Sequence, residues 1–100
     1  MKVVEEAPWS WMLLAEESER FLSVVVGAAA PYEVEFALEP EEIAAYEREG
    51  TAYLEKLAER VLVSPGAFQT RHIADFRERP GVEEAIAAWR QSGGALKPKG

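Results

Sequence analysis

The sequence predicts an α+β domain: an N-terminal three-stranded antiparallel β-meander packed on a long central α-helix, followed by two shorter C-terminal helices. Three observations carry this. Between residues 9 and 38 the apolar side chains recur with a period of two. From Pro40 to Val63 they recur with helical spacing, about 100° per residue. After Ser64 the chain becomes shorter apolar pieces, punctuated by Pro65-Gly66, Pro80-Gly81 and Gly93-Gly94. Residues 1–92 read as a single domain, and residues 93–100, with Lys97, Pro98 and Lys99, as a disordered tail.

Residues 1–8 read as a loose arm or a short edge segment ending at Pro8. Trp9 to Glu16 is the first predicted strand, with Trp9, Trp11, Leu13 and Ala15 on one face and Ser10, Met12, Leu14 and Glu16 on the other. Glu17-Ser18-Glu19 is the predicted turn. Arg20 to Val26 is the second strand, its run Val24-Val25-Val26 favouring a pleated, buried setting. Gly27 and the alanines up to Ala30 supply a small-residue connection that Pro31 punctuates. Tyr32 to Leu38 is the third strand and alternates cleanly: Tyr32, Val34, Phe36 and Leu38 against Glu33, Glu35 and Ala37. Short connections make the meander antiparallel.

On the helix that follows, Tyr46, Tyr53, Leu54, Leu57, Ala58 and Val61 share one face with Ile43 and Gly50. Arg48, Glu49, Glu55, Lys56, Glu59 and Arg60 fall on the other. Pro40 with Glu41 and Glu42 suits a helix start, because proline lacks an N–H that would be unpaired there and the acids match the helix dipole. Gly50 costs about 1 kcal/mol in a helix interior. Close approach of its backbone to the sheet is the preferred explanation, and a break before Thr51 is the alternative. Beyond it, Pro65 to about His72 is a short helix pinned by Phe68, Ile73 and Phe76, and Val82 to Arg90 is the last, with Val82, Ala85, Ile86 and Trp89 on one stripe.

The first two strands carry large apolar residues on both faces, so one covering helix is not enough. Either residues 65–90 fold over the second face, or a second chain does. The formal net charge of −7 is unevenly spread. Residues 1–63 hold 14 acidic and 5 basic side chains, a balance of −9, and residues 64–100 hold 4 and 6, a balance of +2. The basic part is expected to dock on the acidic part of its own chain; an acidic surface for a basic partner is the sharper alternative. The overall balance disfavours nucleic acid as a ligand, since phosphate binding needs a basic face. With no cysteine, disulfides, thiolate metal sites and cysteine nucleophiles are excluded. The first residues lack the apolar run of a signal peptide, and no apolar run nears the roughly 20 residues that cross a bilayer. A cytoplasmic, non-membrane protein is expected, and the Ala, Glu, Arg and Gly bias has a bacterial look.

No catalytic motif stands out. His72 is the lone histidine and the one weak candidate for a general base. Its spacing from Asp75 would suit two ligands on a helix, but no metal site and no cofactor is predicted. The adjacent glutamate pairs fall at turns and helix starts, and neighbours on a helix do not face each other. Glu33 and Glu35 share one strand face and, if covered, need partners such as Arg20 or the C-terminal arginines. The expected function is a small acidic, non-enzymatic interaction module, binding a protein partner or a second copy of itself. Its predicted surface comprises Trp9, Trp11, Met12, Leu14, Glu33, Glu35, Arg48, Glu55 and Glu59. An immunity or antitoxin-type protein masking a basic toxin is one concrete version. A small enzyme or ligand-binding subunit using His72 in a pocket between sheet and C-terminal helices is the alternative, and a homo-oligomeric structural protein is a third.

Overall fold

The computed structural model describes residues 1–27 and 29–93. Strands β1 (Lys2–Ala7), β2 (Trp11–Glu16), β3 (Glu19–Val26) and β4 (Tyr32–Ala37) form an antiparallel sheet in the order β1-β2-β3-β4. Helices α1 (Pro40–Glu49), α2 (Thr51–Val63), α3 (Pro65–Gln69) and α4 (Val82–Gln91) follow, with a 3₁₀ turn at Phe76–Glu78. The class is α+β, as the sequence predicts, but the sheet has four strands rather than three. Ala28 and most of the expected tail, residues 94–100, lie outside the described residues.

The added strand is β1. It pairs with β2 from Lys2↔Ala15 to Ala7↔Trp11, with a register shift between Val3 and Glu5. An extra residue in one strand breaks the two-residue period, which is why Val3-Val4-Glu5-Glu6 does not look like a strand. Val3 and Val4 enter opposite cores by ordinary alternation, and the extra residue then leaves Val4 and Glu5 on the same side. Beyond it, Glu5 reaches Tyr46 and Thr51 on one side of the sheet, and Glu6 reaches Trp89 on the other.

Trp9 is not part of a strand face. It sits in the β1–β2 connection at φ 66°, and its side chain is 94% exposed. The turn is closed by Ser10 N–H donating to the Ala7 carbonyl at 3.0 Å. The alternation that begins at Trp11 extends back to residue 9 only by coincidence of composition.

The sheet is buried on both faces. On one, Trp11, Leu13, Leu22, Val24, Val34 and Phe36 pack against Leu54, Leu57, Ala58 and Val61 of α2 and Phe68 of α3. Ile43, Tyr46 and Tyr53 border the same core. On the other, Met12, Leu14 and Phe21 meet Phe76, Val82 and Ala85, bordered by Ile73, Ile86 and Trp89. Each fully buried Leu, Val or Phe contributes about 1.5–3 kcal/mol of transfer free energy. Trp11, Met12 and Leu14, predicted as interaction surface, are only 5, 4 and 1% exposed. They are core because the chain covers both faces of its own sheet.

The central helix is not continuous. Gly50 takes φ 68° and ψ −146°, ending α1 and opening α2. Close packing is not the reason for a glycine here, since a Cβ at residue 50 would meet nothing within 4 Å. The reason is backbone conformation: this region is open almost solely to glycine. Gly50→Ala is therefore expected to destabilise the protein by about 1–3 kcal/mol in urea unfolding. A continuous helix would give the opposite sign, a gain of about 1 kcal/mol.

Candidate functional site

The C-terminal arginines settle on acids from the first half of the chain. Arg71 donates to both carboxylate oxygens of Glu42, at 2.6 and 3.1 Å, and to the Ala37 carbonyl at 2.9 Å. Its guanidinium lies 4.7 Å from the Phe36 ring centre and 5.8 Å from that of Phe68. Arg77 donates to Glu35 at 2.8 Å and to Glu33 at 2.6 Å. Arg90 donates to Glu6 at 2.9 Å, and the Trp89 indole N–H shares that carboxylate at 2.8 Å. Arg79 lies over the Phe21 ring, 5.0 Å from its centre. The uneven charge of the sequence is thus partly consumed within the fold.

Glu42 is the hinge of the first cluster. Its carboxylate also accepts the Glu39 N–H at 2.8 Å, closing a capping box at the start of α1. Burial pushes the Glu42 carboxyl up, but the hydrogen bond from Arg71, the Glu39 N–H and the arginine charge outweigh it, so the net direction is down. For Arg77, burial pulls the guanidinium down and the bond to Glu35, with the charges of Glu35 and Glu33, more than reverses it. Tyr46 donates to Glu5. Burial, then that bond, push its phenol up to about 12.

Beside the Glu42–Arg71 pair lies a groove of about 720 Å³, open to solvent. Ala67, Phe68, Val63, Lys56, Glu59 and Arg60 are among the residues that line it. On the opposite face of the sheet a cleft of about 200 Å³ is lined by Trp9, Val25, Glu33 and Arg77.

Of the predicted surface residues, Arg48, Glu55 and Glu59 are exposed on α1 and α2. Glu59 borders the groove. Glu35 is covered and holds the Ser23 hydroxyl at 2.9 Å as well as Arg77. Glu33 is more open, on the same arginine. Arg20, the other partner considered for them, instead donates to the Glu17 and Glu19 carbonyls. His72 is half-buried, and its Nδ1 accepts the Glu35 backbone N–H at 3.0 Å. Asp75 is exposed at φ 57°. Among the described residues no group of three His, Cys, Asp or Glu side chains is arranged to hold a metal ion, and no helix is long and apolar enough to cross a membrane.

Sequence reasoning placed Glu42 at a helix start, Tyr46 on the apolar helix face and Arg71 beside His72, but did not pair Glu42 with Arg71 or Tyr46 with Glu5. The signal for Glu42 was a Glu-x-x-Glu pattern at a helix start; for Arg71, nothing local marks it among the other arginines. No protein-family model, no curated protein and no solved structure matches the chain.

Because the Glu42 carboxyl is lowered in the fold, its stabilisation is present above its unfolded value of 4.5 and is lost as pH falls through the folded value. Glu42→Gln is expected to cost about 2 kcal/mol at neutral pH. Urea unfolding at neutral and acid pH should show the variant losing less further stability than the parent on acidification. Equal acid losses would contradict this.

Proposed function

We propose that the chain is a non-enzymatic protein-interaction module that docks a basic partner on the outward surface of α1 and α2. The observation that carries this reading is a pair of exposed aliphatic side chains on the same helix as two exposed, unpaired glutamates. Leu62 is 49% and Val63 76% exposed at the end of α2, and Val63 lines the groove. One and two turns back along the same helix stripe stand Glu59 and Glu55, neither in an ion pair among the described residues. Glu41 and Glu47 on α1 are likewise exposed and unpaired among those residues.

The charge left over favours this face. Glu6, Glu33, Glu35 and Glu42 are held by the chain's own arginines. Glu41, Glu47, Glu55 and Glu59 are not, and they supply the long-range attraction that steers a basic protein. An apolar centre with a polar, solvent-accessible rim is the usual anatomy of an interface. Masking of a basic toxin by an immunity-type protein is one form this would take. The His72 enzyme reading gains no support, because the ring nitrogen is occupied by a backbone amide.

The test is affinity capture from the native host with the parent chain and two variants, followed by titration of the purified partner. The proposal expects a partner with an excess of Lys and Arg, bound less tightly as salt rises. Leu62→Asp with Val63→Asp, and separately Glu55→Lys with Glu59→Lys, should each weaken binding by about tenfold or more at unchanged thermal stability. A partner indifferent to both variants would overturn the assignment of this face.

A further inference from the structure

After α3 the chain must pass from one face of the sheet to the other, since Phe68 belongs to the first core and Phe76 to the second. It does so around β4, which lies at the edge of the sheet. Leu38 N–H bonds inward to the Arg20 carbonyl, so by the alternation of an antiparallel pair Glu33, Glu35 and Ala37 turn their backbone groups outward. The passing segment covers the Glu35 and Ala37 part of that row. Ile73 N–H donates to the Glu35 carbonyl at 2.7 Å, Arg71 donates to the Ala37 carbonyl at 2.9 Å, and the Glu35 N–H donates to His72 Nδ1 at 3.0 Å. The segment thereby blocks an edge that would otherwise accept another strand.

One of these contacts differs in kind from the rest. An imidazole nitrogen accepts only while it lacks a proton, and a doubly protonated ring offers two donors and no acceptor. Protonation would set the His72 Nδ1–H against the Glu35 N–H. Carboxylates flanking this segment on β4 and α1 are held by arginines. Glu33 and Glu35 on β4 are held by Arg77, and Glu42 on α1 by Arg71. Arg71 flanks the ring in sequence and Asp75, exposed, lies three residues on. No free carboxylate among Glu33, Glu35 and Glu42 stands ready to take the new N–H.

We propose that His72 is a protonation-operated latch: neutral, it helps hold the 71–73 segment on the edge of β4; protonated, it frees the Glu35 N–H and weakens that hold. An edge loosened in this way is the kind of surface to which an extended segment of a partner adds. The inference is independent of the partner face on α1 and α2.

The test is amide hydrogen exchange by NMR on the whole chain at about pH 7.5 and about pH 5. Protection is corrected for the intrinsic pH dependence of exchange. The Glu35 and Ile73 amides should lose about tenfold or more of their protection on acidification, while Leu22 and Val24 in the sheet centre keep theirs. His72→Asn retains a neutral acceptor and should hold both amides at both pH values. An equal loss in His72→Asn, or none in the parent, overturns the latch. Should that variant fail to fold, the parent's ring nitrogen shifts decide: Nε2–H with Nδ1 bare at neutral pH is expected, and Nδ1–H would refute it.

Discussion

A sheet that is apolar on both faces must be covered twice, and a chain that covers it alone must carry its backbone around an edge. That constraint shapes this molecule. β2 and β3 present Leu13, Leu22 and Val24 to one core and Met12, Leu14 and Phe21 to the other. α2 closes the first, and the 3₁₀ turn with α4 closes the second. Between them the chain rounds β4, and the contacts of Arg71, His72 and Ile73 fix it there.

Electrostatics serve the same closure. The arginines that follow α3 each take a glutamate presented by an earlier element: Arg71 with Glu42 of α1, Arg77 with Glu33 and Glu35 of β4, Arg90 with Glu6 of β1. Pairs of this kind add little net stability when exposed. When partly buried they penalise wrong arrangements, because an unpaired Glu35 or Glu42 beneath the covering segment would be costly. Arg71 also stacks on Phe36 and Phe68, joining the polar seam to the apolar core. Among the acids not consumed in this way are Glu41 and Glu47 of α1 and Glu55 and Glu59 of α2, all exposed.

The class of fold was legible because its signals are periodic. Tyr32 to Ala37 and the apolar face of Leu54, Leu57 and Val61 repeat over enough residues to identify strand and helix. The two-sided apolar pattern of β2 and β3 also announced a second cover, and the +2 balance of the C-terminal part announced its docking. What was not legible lacks a period. The bulge in β1 erases the alternation that would mark a strand. Gly50 breaks the helix through a backbone torsion while its neighbours keep helical spacing, so the pattern runs on through the break. Trp9 continues an alternation that the backbone has already left. The groove beside Glu42 and Arg71 depends on residues 29 apart in sequence, and no local pattern joins them.

Whether a single chain seals its own second face can be measured directly. In an equal mixture of isotope-labelled and unlabelled protein, filtered NOE spectra separate contacts within a chain from contacts between chains. The Phe21 and Phe76 rings, whose centres lie 5.2 Å apart, should give NOEs within the labelled chain and none across to the unlabelled one. NOEs that cross between chains, or their absence altogether, would contradict the two-sided closure on which this fold depends.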